Sequence, residues 1–327
     1  MTVTLTTGAL SFGEVVAVAR GNSPLAISDE ACQAMLRSRG VIDEAAAHED
    51  AVVYGVTTGL GALASTHISP AARVELQRAL IRSHAAGSGP PLEREVVRAM
   101  MLLRAATLAR GFSGVRPVVV QQIVDVLNAG ITPVVPSFGS LGASGDLAPL
   151  AHVALSLIGE GRVEVGGREV EARAALEEAG LSPLELQAKE GIALLNGTDG
   201  MLGMLVMACI DLRHLARAAD VGCALSVEAL LGTDRPFAAD LMALRPHPGQ
   251  MASAANLRRL LAGSEILASH RHSRHAVQDA YSLRCHPQVA GAARDTLEFA
   301  VQVARRELCS SIDNPAVLAD GRVESNG

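Results

Sequence analysis

The sequence predicts a mainly α-helical protein with a small mixed part at its N-terminus. Of the 327 residues, 49% are hydrophobic, but only 2% are aromatic and none is Trp. The core must therefore be built from Ala, Leu, Val and Met, which favours closely packed helices. A helical pattern that is apolar on most sides extends from about 199 to 231. Such a helix is expected in the middle of a bundle or an oligomer.

The N-terminal residues predict short strands followed by helices. Residues 1–27 fit one or two strands and a loop. Ser28 is a favourable N-cap and two acids follow it, so we predict a helix from there to about Arg39 and a second helix over Ile42–His48. The Gly- and Thr-rich segment that comes next breaks the helical pattern and predicts a loop carrying Tyr54.

Proline and glycine mark the ends of the next helices. Ser69 and Pro70 begin one of them as N-cap and first-turn proline, and Gly87 ends it. Two more helices follow Pro91 and Pro117. We predict the three helices over 70–86, 92–110 and 118–129.

The later elements follow from residue type and periodicity. Residues 131–138 are rich in proline and β-branched residues, so we expect them to be extended. Alternating residues on either side of Gly166 and Gly167 predict a β-hairpin with a tight turn. Helical spacing of apolar residues predicts helices over 146–159, 171–179, 199–231, 251–261 and 287–308.

The glycine-rich stretch GSLGASGDLAP, Gly139 to Pro149, permits three interpretations. It can be a capping turn, with Asp146 or Ser144 as the N-cap of the next helix. It can be an anion-binding nest of backbone N–H groups at a helix N-terminus, although it lacks the Gly-Lys-Ser/Thr of a P-loop. The third interpretation is covalent. Because Gly145 has no Cβ, its nitrogen can approach the Ala143 carbonyl carbon, close a five-membered ring and lose water. Loss of a second water from Ser144 would leave an electrophilic methylidene.

Six further segments have distinctive composition, and they are considered together with this loop in their order along the chain. They are YGVTTGLG (54–61), RSHAAG (82–87), LARGFSGVRP (108–117), LLNGTDGMLG (194–203), QDAYSLRCHPQV (278–289) and SSIDNP (310–315). Together they resemble the aromatic amino-acid ammonia-lyases and aminomutases, in which Ala-Ser-Gly becomes 4-methylidene-imidazol-5-one (MIO). The resemblance covers essentially the whole chain and is strongest to the histidine-specific lyases.

The resemblance also implies an architecture. The fold would be mainly α, with a long-helix central bundle of the ammonia-lyase/fumarase-like type. An N-terminal MIO and active-site domain would occupy 1–198. A central helical bundle domain would occupy 199–327, without the family's C-terminal region. The family assembles as a homotetramer in which several subunits share each active site.

The resemblance implies catalytic roles for five residues. Ala143, Ser144 and Gly145 would form the MIO autocatalytically, with no external cofactor. Tyr54 would be the general base that removes the β-proton of the substrate, and Tyr281 would support the MIO and the substrate. On sequence alone, an isolated tyrosine most often packs at a partly buried position.

Four polar residues are implied to bind the substrate. Arg284 suits bidentate capture of the α-carboxylate, Asn196 would lie beside the MIO and that carboxylate, and Gln278 would add a polar contact. His84 would face the substrate ring, which argues against phenylalanine and leaves histidine and tyrosine open. Taken alone, Arg284 also fits a surface charge, Asn196 a turn residue and His84 a helix-edge histidine.

The implied reaction is the non-oxidative elimination of ammonia from L-histidine to trans-urocanate, a step of histidine degradation. A tyrosine ammonia-lyase or tyrosine aminomutase is an alternative on the same chemistry. The loop lacks the basic residue that many histidine lyases carry before this Gly-Ser, and Leu60 stands where the family often has an aromatic. The second alternative is a catalytically impaired fragment, because the family continues well past Pro315 and draws an acidic residue and an aromatic from that part.

Composition argues against several other classes. The net charge is −6 and no basic run occurs, so we expect no nucleic-acid partner. The most apolar stretch, Met201–Ile210, is too short to span a bilayer, and no signal peptide is evident. The five cysteines are scattered, as in a cytoplasmic protein with reduced thiols. His270, His272 and His275 lie among arginines without a Cys or acid partner, so we expect no metal site.

Overall fold

Helices account for 57% of the structure, which confirms the predicted fold class. The computed structural model describes residues 2–48, 52–273 and 277–325. The chain forms two compact units. Unit 1 comprises Met1–Val206 and Arg305–Gly327, and unit 2 comprises Met207–Ala304.

Unit 1 begins with two parallel strands joined by a helix that the sequence pattern did not predict. Strand β1 (Val3–Leu5) pairs with β2 (Leu25–Ile27). Helix α1 (Phe12–Ala19) lies between them in the chain and begins with a complete capping box of Ser11 and Glu14. Ser and Glu three residues apart were the available signal for this helix.

Helix α2 (Asp29–Ala47) is one helix, and the prediction of two was wrong. Gly40, which lies between the two predicted helices, has open space where a Cβ would stand. Met35 and Ile42 lie two turns apart on the same face and are both fully buried. Burial of that face continues across the glycine and outweighs a propensity cost of about 1 kcal/mol.

The next three helices of unit 1 have nearly the predicted bounds. They are α3 (Pro70–His84), α4 (Arg94–Ala109) and α5 (Pro117–Asn128). Every residue of α4 from Val96 onward is buried, and the helix packs against α1 and α5. Helix α4 is therefore the centre of unit 1.

Short strands and helices complete the first 195 residues. The extended segment 131–138 contributes β4 (Thr132–Pro133) and β5 (Pro136–Phe138), and β5 pairs with β3 (Ser88–Pro91). The predicted hairpin is confirmed, since β6 (Arg162–Val165) and β7 (Arg168–Glu171) pair and β4 extends their sheet. The helices are α6 (Leu147–Leu157), α7 (Ala172–Glu178) and α8 (Glu190–Leu195).

Most of the remaining chain belongs to unit 2. Its elements are α9 (Asp199–Ala229), α10 (Ala239–Ala243), α11 (Pro248–Leu260), α12 (Glu265–Ser269), α13 (Tyr281–Arg284) and α14 (His286–Glu307), where α9 begins and α14 ends in unit 1. The core of unit 2 contains Val227, Phe237 and Leu257. Strands β8 (Ala316–Val317) and β9 (Val323–Glu324) return to unit 1. No helix among the described residues is long and apolar enough to cross a membrane.

Candidate active site

A cavity of about 540 Å³ opens in unit 1 where α3, α6 and α8 pack on one another. It contains four of the residues implicated from the sequence: Tyr54, His84, Ser144 and Asn196. The rest of the lining is mostly apolar and comprises Leu60, Gly61, Leu63, Leu76, Ala79, Leu80, Ser83, Leu147, Ile192 and Asn314. Segments far apart in sequence thus meet at one concave surface.

The glycine-rich loop enters this cavity as a tight turn. The backbone N–H of Leu141 donates to the Gly145 carbonyl at 3.0 Å, which closes the loop on itself. Gly145 is buried and has a φ of +71°. A Cβ there would stand 2.8 Å from Met201 Cε and 3.0 Å from Thr198 Cγ2. Glycine is therefore required at this position for both its backbone conformation and its size.

Ser144 and Asn196 form the principal polar contact of the loop. Ser144 Oγ donates to Asn196 Oδ1 at 2.6 Å. Asn196 directly follows α8, and its Nδ2 donates to the carbonyl of Asn314 at 3.2 Å and to Asp313 Oδ1 at 3.4 Å. One amide side chain therefore joins the loop to the SSIDNP segment.

Asp146 holds the other end of the loop, in a way that differs from the predicted cap. It occupies the N-cap position of α6, but its carboxylate makes no capping bond to that helix. Its Oδ2 accepts instead from the backbone N–H of Met201, at 2.9 Å, in the first turn of α9. The fully buried carboxylate thus lies at the N-termini of two helices, where the helix dipoles favour negative charge.

Arg104 lies beneath this region and was missed by sequence reasoning. Its guanidinium is fully buried and donates to the carbonyl oxygens of Asn196 at 2.6 Å and of Ile312 at 2.9 Å. It also lies 3.3 Å from Asp199 Oδ2, and burial raises the pKa of that carboxyl. The available signal was a charged residue in the apolar run of α4, where burial demands partners.

Tyr54 occupies a turn at the mouth of the cavity. Its hydroxyl oxygen accepts the backbone N–H of Gly61 at 3.2 Å. Leu60 packs at the start of this turn, since a Cβ on Gly55 would stand 2.9 Å from Leu60 Cδ2. An aliphatic side chain therefore packs against the turn that carries Tyr54.

His84 ends α3 and presents one ring nitrogen as a donor to the backbone. Its Nδ1 lies 2.9 Å from the carbonyl oxygen of Leu80. Because a carbonyl oxygen can only accept, this contact requires a proton on Nδ1, and in the tautomer protonated only there Nε2 is an acceptor.

The other three implicated residues belong to unit 2. Tyr281 and Arg284 are the first and last residues of the single turn of α13, with the guanidinium carbon 4.0 Å from the ring centroid. Tyr281 is 72% exposed, and Arg284 Nε donates to the Asp279 carbonyl at 3.0 Å. The cation–π contact holds the two side chains as one surface feature. Gln278 lines a separate cavity of about 470 Å³ in the same unit.

The histidine-rich segment of unit 2 is partly described. His270 Nε2 lies 2.7 Å from the Gly232 carbonyl, and His272 is exposed. His275 lies outside the described residues. Within the described ranges, no group of three or more His, Cys, Asp and Glu side chains is placed to hold a metal ion.

Comparisons with known proteins connect this geometry to one family. Residues 10–327 match the aromatic amino acid lyases. The whole chain is 58% identical to a histidine ammonia-lyase of Streptomyces avermitilis and spans 64% of that protein's length. Among solved structures, the tyrosine aminomutase of Streptomyces globisporus matches with a TM-score of 0.90 at 38% identity, and this chain covers 65% of it. The histidine ammonia-lyase of Trypanosoma cruzi matches with a TM-score of 0.88 at 38% identity and 61% coverage.

Proposed function

This chain belongs to the aromatic amino acid lyase family, and from that premise we propose that it eliminates ammonia from L-histidine to give trans-urocanate. The observation that carries the proposal is the hydrogen bond of Ser144 Oγ to Asn196 Oδ1 inside the cavity that Tyr54 and His84 also line. A serine held this way, next to a glycine at positive φ, fits the precursor of an MIO group.

The residues of the loop balance the chemistry of ring formation. The Gly145 nitrogen forms a bond to the Ala143 carbonyl carbon. The first water takes that carbonyl oxygen together with the amide hydrogens of Ser144 and Gly145. The second water takes the Ser144 hydroxyl and its Cα hydrogen, which leaves a carbon–carbon double bond. The ring, once formed, supplies an electrophile for the amine of the substrate.

The chain's own side chains then supply orientation and proton transfer. Tyr54 would take the β-proton, and the Gly61 N–H that its phenol oxygen accepts beside the cavity supports this role. His84 Nε2 would accept an N–H from an imidazole substrate, which the contact of Nδ1 with the Leu80 carbonyl supports. Arg284 would bind the α-carboxylate through its guanidinium fork. Proximity and alignment of such groups with the substrate would contribute to the rate enhancement.

Tyrosine is the second candidate substrate, and His84 is the observation that favours it. The same Nε2 acceptor would receive a phenol O–H as readily as an imidazole N–H. The whole length of this chain is also similar to a solved tyrosine aminomutase. Steady-state assays with L-histidine and L-tyrosine distinguish the two. A higher kcat/KM for tyrosine would overturn the choice of histidine.

We also propose that the active sites are shared within a homotetramer. An exposed stripe on α9 supports association, because its small and apolar side chains recur every three or four residues on one face. Its members in unit 2 are Leu212, Leu215, Ala219, Gly222 and Leu225. Light scattering of the wild type and of Leu215→Glu tests this. A wild type that is monomeric at assay concentration would contradict it.

Mass spectrometry tests the chemical core of the proposal directly. The tryptic peptide 111–162 contains the whole loop. We expect the wild-type peptide to lack the mass of two waters and Ser144→Ala to retain its full mass. An unmodified wild-type peptide from an active enzyme would exclude the ring. An unmodified and inactive chain would instead support the alternative of a catalytically impaired protein.

A further inference from the structure

Lys189 is unusual in this chain for three independent reasons. It is the single lysine, since the other 27 of the 28 basic residues are arginines. Its side chain is fully buried. Its backbone lies in the left-handed region, with a φ of +76°, which costs an ordinary residue about 1–2 kcal/mol. A residue that combines a buried charge with a strained backbone often serves a functional site.

The contacts of Lys189 lead directly to the reactive loop. Its Nζ lies 2.7 Å from Asp313 Oδ2, in a pair that is buried on both sides. Asp313 Oδ1 accepts the backbone N–H of Asn314 at 2.8 Å and the Nδ2 of Asn196 at 3.4 Å. Asn196 Oδ1 in turn accepts the hydroxyl of Ser144. Four side chains therefore form one continuous polar chain from a buried ammonium to the serine.

This series of polar contacts determines which way the Asn196 amide faces. An amide has an accepting and a donating end, and either end could face Ser144. On its far side Asn196 meets the carboxylate of Asp313 and the backbone carbonyl of Asn314, and both accept hydrogen bonds. Its NH₂ group must therefore face them, which leaves Oδ1 toward Ser144. The Asn314 carbonyl shares in fixing that orientation, and Lys189 Nζ, 2.7 Å from Asp313 Oδ2, holds the carboxylate in place.

We propose that Lys189 and Asp313 are positioning residues that orient the Asn196 amide as acceptor for Ser144, and thereby control conversion of the loop into its ring form. The inference deepens the proposed function and rests on it. Without this constraint the amide could turn its NH₂ toward Ser144. The hydroxyl would then lose the acceptor that holds its rotamer for elimination.

The choice of lysine over arginine agrees with this role. An ammonium is a compact point donor, whereas a guanidinium presents a wide planar fork that needs several acceptors. Burial lowers the pKa of Lys189, and the adjacent Asp313 opposes that shift. A buried ion pair is by itself a poor source of stability. A role in the loop chemistry explains why the pair is present at a strained position.

Four variants test the inference by the mass of peptide 111–162. Asp313→Asn removes the carboxylate and adds an amide that can donate to Asn196. Lys189→Met keeps the aliphatic stem and removes the ammonium that holds Asp313 Oδ2. Asp313→Glu restores a carboxylate. The matched control is Asp220→Asn, because Asp220 is an equally buried carboxylate of unit 2 that accepts from Ser253, Asn256, His286 and Arg294.

We expect Asp313→Asn and Lys189→Met each to slow loss of the two waters by about tenfold, which is the effect on a rate of losing one hydrogen bond in the transition state. Their combination should be no slower than either alone, because both disrupt the same orientation. Asp313→Glu should recover part of the conversion. Asp220→Asn should convert like the wild type. Thermal unfolding by circular dichroism restricts the comparison to variants that are folded at the assay temperature.

The outcomes separate this inference from the proposed function. An unmodified wild-type peptide would overturn both. Wild-type conversion with equal conversion in folded Asp313→Asn and Lys189→Met would overturn the positioning role alone. An Asp220→Asn chain that converts as slowly as Asp313→Asn would also overturn it, since any buried carboxylate would then have the same effect. A single ¹⁵N-lysine resonance, unique to Lys189, reports independently whether Asp313→Asn changes the environment of its ammonium.

Discussion

Replacement of Gly191 by alanine should open the cavity by separating two of the helices that frame it. Gly191 lies in α8, and a Cβ there would stand 2.7 Å from the backbone oxygen of Gln77 and 2.8 Å from Gln77 Oε1. Ordinary contacts begin near 3.4 Å, so α3 and α8 would have to move apart by about 0.7 Å. Gln77 is fully buried and its Oε1 accepts the Ile192 N–H at 3.2 Å, so it cannot rotate away without losing that bond.

The magnitude follows from two opposing effects. Alanine is favoured over glycine in a helix by about 1 kcal/mol, whereas overpacking of a close-packed interior costs about 1–3 kcal/mol. We therefore expect Gly191→Ala to lower the free energy of unfolding by about 1 kcal/mol. The matched control is Gly40→Ala in α2, where a Cβ meets open space, and it should raise stability by about 0.5–1 kcal/mol.

Urea unfolding followed by far-UV circular dichroism measures both variants against the wild type. Hydrogen exchange of peptides from α3 and α8 shows whether the loss is local. A Gly191→Ala midpoint equal to or above that of the wild type would refute the steric argument. A Gly40→Ala variant that is equally destabilised would show that the effect is not specific to the contact with Gln77.

Three further predictions concern single side chains. Arg104→Lys should lower the free energy of unfolding by about 2 kcal/mol, because one ammonium cannot replace a guanidinium that contacts two carbonyls and Asp199. The control is Arg168→Lys at an exposed position. Equal urea midpoints for the two variants would contradict the role of the guanidinium. His152 Nε2 accepts the Gly87 N–H at 3.2 Å, and burial lowers the pKa of this histidine from its usual 6.5. Stability should therefore be complete above pH 6.5 and decline as the pH falls from there toward the lower folded-state pKa, because only the unfolded chain takes up the proton. In His152→Ala the unfolding free energy should change less over that pH window. If its slope against pH equals that of the wild type, His152 is not the group responsible. Tyr54→Phe should lower kcat at least about 100-fold in the active enzyme while the loop peptide keeps its mass deficit; loss of that deficit would show that the phenol acts in ring formation instead.

Local signals predicted the helix boundaries well where the chain carries proline or a capping residue. Pro70 and Pro117 begin α3 and α5 as expected, and Gly166 with Gly167 turns the predicted hairpin. The failures have two causes. Helices α8, α10 and α12 have only five or six residues each, too few for a periodic pattern to be read. The division of α2 at Gly40 failed because tertiary burial outweighed local propensity.

The candidate site shows the same division between local and long-range information. The loop, both tyrosines, His84 and Asn196 could be singled out because they lie in short segments of distinctive composition. Their catalytic roles stay predictions. The structure brings Tyr54, His84, Ser144 and Asn196 to one cavity and places Gln278, Tyr281 and Arg284 in the other unit.

The sequence by itself determined a mainly helical chain, its family, and a tripeptide whose small residues permit ring closure. Each of these depends on residues that are neighbours in the chain. Only the tertiary structure decided which buried charges surround that tripeptide. Arg104 reaches carbonyls 92 and 208 residues away, and Lys189 pairs with a carboxylate 124 residues away. A single sequence does not specify such pairs, because a buried charge requires a partner but many chain positions could supply it.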